Sequence, residues 1–447
     1  MLYIYTNHIT QRIQYIANTL FGKEVSIIND RDFFLQYSGI KINYSADAFD
    51  ANAIWIQPSG LLHETGIQQQ NIACFEWNDV TAFFKTEGDI PFDLLAASFY
   101  LITRYEEYLP HQLDEYGRYA HTNSLAYKEN FLQQPLVNFW LKELGKQLES
   151  KRQKARGNID NSPFATHHSP FTIHHSPFTF IPTYDIDIAY SYLHQPLWKN
   201  VLGFYRDLLK GDFDKVLERA NVYSGRNKDP FDEFDWLDAL HQKYKLQPIY
   251  FFLTIIKRGI YDKNILASSK ALQQLYKSIS LKYRTGLHPS WQSGTDEWLL
   301  QQEQNVLREM IEQPVTISRN HYLRFTVPHT YRRLIAAGIT DDYSMAYGSI
   351  NGFRASFALP HQWYDLEKEA VTNLTIHPFC FMEASSFFEQ KYSAQQAADE
   401  IQYYHDVVKS VNGEFISLFH NHFLTQQPQW LPWRKMYEDF LQKNFGE

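Results

Sequence analysis

The stretch "FTFIPTYDID" (178–187) decides how the second half of the chain is read. Its aromatic and β-branched residues mark a strand that ends in polar groups. Comparable stretches recur after it: "PIYFFLTII" (248–256), "RTGLHPS" (284–290), "PVTISRNHYL" (314–323), "GITDDYSM" (338–345), "NLTIHPFCFM" (373–382) and "EFISLFHNHF" (414–423). Helical patterns lie between them, at 262–280, 296–313 and 393–411. Strands alternating with helices predict βαβ units and a parallel sheet. Seven such strands predict an α/β fold, a (β/α)7-type barrel over residues 178–447, with "WLPWRKMYEDFLQKNF" (430–445) packed outside as a last helix.

Upstream, residues 1–150 read as a smaller α/β unit of unknown role. "LYIYT" (2–6) and "AIWIQP" (53–58) are its candidate strands, and 91–109 and 135–148 its candidate helices. Arg104, Glu106 and Glu107 are expected on the polar face of the first helix, packed against the neighbouring unit. Residues 151–177 change character and read as a linker. They open with "KRQKAR" (151–156), a solvated run, and continue into a tandem repeat, SPFATHH then SPFTIHH then SPFTF. The repeat brings His167, His168, His174 and His175 close in sequence. Each unit carries a proline, and nothing fixes the ligands in place, so a linker is expected there rather than a metal site.

Composition bounds the function. The chain has 447 residues, 44% hydrophobic and 16% aromatic, enough for two or three packed domains. With 42 basic residues against 50 acidic, no basic excess is available for nucleic acid. Cys74 and Cys380 are the two cysteines and lie far apart, which excludes a disulfide framework and a cysteine-rich zinc site. No run approaches the roughly 18 to 20 apolar residues of a membrane span. "MLYIYTNHIT" lacks the pattern of a signal peptide, so a cytoplasmic protein is expected.

In a (β/α) barrel, functional groups collect at the C-terminal ends of the strands. Asp185 and Asp187, His288, Arg319 and His321, Asp341 and Asp342, His377, and His420 with His422 all fall at or near such ends. Residues i and i+2 of a strand share a face, so Asp185 and Asp187 project together. Two close carboxylates share a cation, share a proton, or divide the roles of base and ligand.

"TYDIDIAY" resembles the first motif of the polysaccharide deacetylases, the carbohydrate esterase family four superfamily, which removes N- or O-acetyl groups with a metal ion. "GLHPS", "RNHYL", "DDYSM" and "LFHNH" are similar to the second to fifth motifs, in the family's order, over roughly residues 178–425. "GFRA" and the upstream unit resemble a subgroup common in Bacteroidetes-type bacteria. The resemblance implies Asp185 as general base, Asp187 and His288 as metal ligands, and His420 as the acid that protonates the leaving group. Many relatives have adjacent aspartates where this chain has D-x-D, so the roles of Asp185 and Asp187 are exchangeable. Arg319 would orient the base, with Asp341 or Asp342 in support. Where the family has a second histidine four residues after His288, this chain has Gln292, so another third ligand is expected: His321 first, His377 second. The metal would be divalent, zinc before others.

Tyr184, Trp291, Tyr322, Tyr343, Phe353 and Trp363 lie near the same rim and read as sugar-stacking platforms or as packing. Arg354 would contact an acidic sugar or brace the site. The expectation is a metal-dependent hydrolase acting on an acetylated carbohydrate. Its alternatives are a non-catalytic carbohydrate-binding or assembly protein, and a glycosidase pairing Asp185 or Asp187 with Asp341 or Asp342. The sequence gives no oligomeric state.

Overall fold

The computed structural model describes residues 1–156 and 177–446. The four repeat histidines, and with them most of the expected linker, lie outside the described residues. Its first residues, 151–156, instead continue the predicted helix over 135–148, which runs Leu136–Arg156. A first sheet is fully parallel: β1 (Leu2–Tyr5), β2 (Val25–Ile28), β3 (Lys41–Tyr44) and β4 (Ile54–Ile56), in the order β2-β1-β3-β4. A small antiparallel hairpin follows, β5 (Phe75–Trp77) with β6 (Val80–Ala82).

The second sheet has nine strands: β7 (Thr179–Ile186), β8 (Ile249–Leu253), β9 (Arg284–His288), β10 (Ile317–Ser318), β11 (Asp341–Asp342), β12 (His361–Asp365), β13 (Ala370–Ile376), β14 (Phe381–Met382) and β15 (Glu414–His420). Their order is β12-β13-β11-β10-β9-β8-β7-β15-β14, and only β12 runs antiparallel to its neighbour. All seven strand stretches read from the sequence fall in this sheet. β12 was not foreseen, because "HQWYD" is too short and too polar to stand out from the loop around it.

One stretch serves two neighbours. In residues 370–382, β13 pairs with β11, and four residues later β14 pairs with β15. Helices Lys270–Ser280, Glu297–Ile311, His329–Ala336 and Ala394–Ser410 fill the crossovers that parallel strands require. Every residue of β8 is buried, as expected for a strand covered on both faces.

The register sets the site. β7 lies between β8 and β15, with Asp185 opposite Phe251 on one side and His420 on the other. Leu253 pairs with His288, which brings the β9 end level with the others.

The predicted helix over 262–280 begins only at Lys270, because its first residues have other work. The Asn264 side chain donates to the carbonyls of Ile186 and Leu253 and accepts from the Ala189 amide, tying the ends of β7 and β8 together. The predicted helix over 91–109 is likewise shorter, Leu94–Ile102, capped by Asp93. Arg104 then takes a left-handed backbone (φ 55°), and Tyr105–Tyr108 form a tight turn.

That turn joins the two sheets. Glu107 is buried between Arg104 and Arg354, accepting from Arg104 Nε at 2.7 Å and from Arg354 Nη2 at 2.6 Å. Burial works to raise its pKa, but the two guanidinium groups hold it at about 2. Arg12 also pairs with Glu369, and the Tyr15 hydroxyl donates to the Gln362 carbonyl. Replacing Glu107 with alanine would leave two buried arginines facing each other. We expect that variant to lose about 3–5 kcal/mol in denaturant unfolding.

A second buried carboxyl braces the site loop. Glu303, on helix Glu297–Ile311, accepts the Ser290 amide at 3.0 Å. Burial raises its pKa from 4.5 to about 7. A carboxyl with a raised folded-state value contributes stability that is fully present below its unfolded pKa and is lost as pH rises through the folded one. Glu303→Gln should therefore gain on the wild type between about pH 5 and about pH 8, approaching ~3 kcal/mol by thermal unfolding.

Candidate metal centre

Asp185 points inward from β7, and Asp187 follows one residue past the strand end, on the same face. His288 Nε2 lies 3.1 Å from Asp187 Oδ1 and 3.5 Å from Asp185 Oδ2, so both carboxylates reach one imidazole. His321, just past β10, places Nε2 3.3 Å from Asp187 Oδ2. His420, at the end of β15, places Nε2 3.5 Å from the same oxygen. One ligand atom from each of Asp187, His288 and His321 lies within 4.8 Å of the others, the spacing of a metal site.

What holds these rings is as informative as where they point. His288 Nδ1 is bonded to the Arg319 backbone carbonyl. His321 Nδ1 is 2.9 Å from Asp262 Oδ1, and His420 Nδ1 is 2.7 Å from Glu383 Oε1. Each ring thus has its Nδ1 proton engaged and its Nε2 turned toward Asp187, the arrangement that fixes tautomer and aim in metal-binding histidines. Asp187 Oδ1 is itself buried and lacks a hydrogen bond of proper geometry, despite the nearness of His288. An orphaned buried carboxylate oxygen among aimed imidazole nitrogens fits a divalent cation. The mixed nitrogen and oxygen donors suit zinc and its neighbours.

The electrostatics agree. Burial works to raise the pKa of Asp187, but the charges of His321 and His420, with the contacts to His288 and His321, hold it well below the usual carboxylate range. Burial opposes charge on His321, but Asp187 and Asp262 on its two sides raise it to about 10. His420 is raised to about 9 by Glu383 and Asp187, again against burial. Burial, with His420 beside it, pushes His422 down to about 3. A proton on His321 Nε2 and a bound cation are alternatives, since a ligand must offer a bare nitrogen.

Arg319 is fully buried. Its Nη1 donates to Asp185 Oδ1 at 3.0 Å and to Thr183 Oγ1 at 2.7 Å, and its Nε to the Tyr343 carbonyl at 2.9 Å. Asp342 does not bond to it. That carboxylate accepts from Ser318 Oγ, Ser344 Oγ and the Ser344 amide, and burial raises its pKa to about 6. Asp341 and His377 pair with each other, and His377 also with Glu414, away from Asp187. His321, not His377, is therefore the ring that faces the two aspartates with His288.

The aromatic expectations divide. Tyr322 lines a cavity of about 550 Å³ around the centre. Tyr184 does not: alternation along β7 turns it to the opposite face from Asp185, where its hydroxyl meets His241 and Tyr437. Tyr343 is buried and stacked on His377, with ring centroids 4.2 Å apart. Trp291 stands behind the cavity wall, its indole N–H bonded to the Tyr116 carbonyl and its ring under Arg324. Phe353 and Trp363 are core residues. Arg354 braces, through Glu107, and does not enter the cavity.

Sequence reasoning missed Asp262 and Glu383. Glu383 directly follows β14, so the strand-end rule applied there would have found it; Asp262 lies in the loop well past β8, and no local signal marks it. It also missed Tyr116 and Arg118, which reach the cavity from the upstream unit. No local signal marks those two.

Residues 2–153 match a family of unknown function, DUF7033. No curated protein matches the chain. Three solved structures are loosely similar. One is a Mycobacterium smegmatis protein assigned as a polysaccharide deacetylase, 11% identical, covering 60% of this chain and 85% of that one at TM-score 0.38. Another is the Puue allantoinase, 9% identical, covering 62% and 86% at 0.38. The third is a 4-alpha-glucanotransferase from Thermococcus litoralis, 13% identical, covering 60% and 37% at 0.34. Likenesses this loose carry no argument about activity, and fold does not fix chemistry. Fold and site define a mixed α/β protein with an Asp–His–His candidate metal centre whose two histidines are buried.

A metal assay tests that centre. We expect about one equivalent of divalent metal by mass spectrometry on untagged protein, retained when residues 162–177 are deleted and lost in His288→Ala. Metal that disappears with the deletion would belong to the repeat histidines.

Proposed function

We propose that the chain is a metal-dependent hydrolase that removes acetyl groups from an N- or O-acetylated sugar or polysaccharide precursor. One observation carries this: three imidazoles with engaged Nδ1 atoms turn their Nε2 toward Asp187, beside a second carboxylate, Asp185, that an arginine holds. Asp187, His288 and His321 would hold the cation, zinc first. A cation there supplies Lewis-acid polarisation of the acyl oxygen.

The remaining roles fall to the chain's own atoms. Asp185 keeps Oδ2 toward the site while Arg319 occupies Oδ1, so it can take the proton of an attacking water. Arg319 is a positioning residue, fixed in turn by Thr183 and the Tyr343 carbonyl. His420 carries its Nδ1 proton against Glu383 and presents Nε2 to the cavity, where a second proton can pass to the leaving amine or alcohol. The glycosidase alternative loses its partner carboxylate, since His377 occupies Asp341 and serines occupy Asp342. Gln292, which left the third ligand to come from elsewhere, is offset by His321.

The same proposal covers architecture. Residues 178–447 are read as a seven-stranded (β/α) barrel whose ring passes through the shared stretch 370–382. Residues 1–150 form a unit against one wall, joined by 151–177. Among the described residues no helix is long and apolar enough to cross a membrane.

Acetate release from acetylated sugars is the test. Asp185→Asn should slow it by roughly a hundredfold or more while metal content is retained. Release at the wild-type rate from that variant would sink the assignment.

A further inference from the structure

Helix Leu197–Leu209 is folded with its polar side in. Its buried residues are Asn200 and Asp207, while its leucines, Val201 and Trp198 face solvent. The cause is Arg219, on the next helix, Phe213–Tyr223. Its Nη1 donates to Asn200 Oδ1 at 3.0 Å and its Nη2 to Asp207 Oδ2 at 2.8 Å, so a polar clasp holds the hairpin. Leu197 is 80% exposed, Leu202 60% and Leu209 87%. Phe213, at 67%, continues the apolar surface onto the second helix. Spacings of three and four put Leu197, Val201, Tyr205 and Leu208 on one face. Contiguous apolar surface of this kind marks an interaction site.

The surrounding charge says what covers it. Lys199 and Lys210 border the apolar face, and burial, with Arg258 and Lys263 nearby, disfavours charge on Lys199. Arg206 between them pairs with Asp207, and the acidic Asp212 and Asp214 flank Phe213 at the tip of the hairpin. Among the described residues, no ion pair joins Lys199, Lys210, Arg258 or Lys263 to a carboxylate. Ile260, in the same loop as Arg258, is 87% exposed. A second copy docking symmetrically would set these cations against their own kind. An anionic lipid surface meets both features at once, taking leucines at the acyl boundary and lysines at the headgroups.

We propose that the 197–223 hairpin lies on an anionic membrane surface, with Ile260 and Arg258 beside it. The cleft under helix Leu197–Leu209 shares Ile188 and Lys263 with the cavity of the metal centre. Docking therefore brings the cavity mouth to the lipid. Resting on the function proposed above, the substrate class is then an acetylated sugar carried on a lipid, not a free sugar.

The test is co-sedimentation of the full, untagged chain with vesicles of phosphatidylcholine alone and of phosphatidylcholine mixed with phosphatidylglycerol. The wild type should pellet with the anionic vesicles and be weakened by salt. Leu197→Ser/Leu202→Ser/Leu209→Ser should lower partition at least about tenfold, with melting temperature and metal content unchanged. Lys199→Gln/Lys210→Gln should lower it about tenfold or more on anionic vesicles only, and decides alone if the serine variant fails to fold. No pelleting of the wild type, or pelleting that both variants keep, overturns the proposal. So does a wild-type dimer that the serine substitutions dissolve without any vesicle binding. Asp187→Asn should still bind vesicles. Vesicle binding without acetate release from any sugar would fail the function alone, and release without vesicle binding would fail this inference alone.

Discussion

Asp187 is a half-buried carboxylate with one oxygen, Oδ1, shut off from water and left without a hydrogen bond, and much around it is arranged to make that tolerable. A buried ionised group is stable only when opposite charge or aimed dipoles replace its hydration. Three imidazoles supply them here, and each needs a support of its own: the Arg319 carbonyl, Asp262, Glu383. Those supports follow different strands. The site is therefore a property of the sheet's register, not of any one loop, and moving a single strand by one residue would turn its side chain away.

The same logic recurs where the two sheets meet. Glu107 is surrounded by Arg104 and Arg354, and the arrangement is stable only while all three are present. Arg104 and Glu107 follow helix Leu94–Ile102 and Arg354 follows β11, so this cluster ties the residues after the first sheet to the sheet that carries the metal centre. That is how Tyr116 and Arg118 come to stand in the cavity wall.

Much of this was legible in the sequence, for a definite reason. Strand periodicity and the tendency of polar groups to gather at strand ends are local rules, and they brought out Asp185, Asp187, His288, His321 and His420, which the fold gathers round one point. The failures were of two kinds. Tyr184 broke a rule already in hand, since alternation sends it opposite to Asp185. Tyr343, Asp341 and His377 are near in sequence to the site but bond to one another, and only the three-dimensional pairing reveals it. The helix over 262–269 was lost because Asn264 gives its hydrogen bonds to two strand ends instead of a helix.

The shared stretch 370–382 also bears on how the chain folds. β7 finds β8 early, but its other neighbour, β15, is 234 residues away at the Thr183–Ser417 bond, and β14 has no ladder partner until β15 is in place. Loop closure over such a distance is costly before any contact rewards it, and topologies rich in distant pairings fold slowly. During synthesis β7 and β14 would each wait with an unpaired edge until β15 emerged. Those edges are where a growing chain of this kind is most exposed to pairing with another.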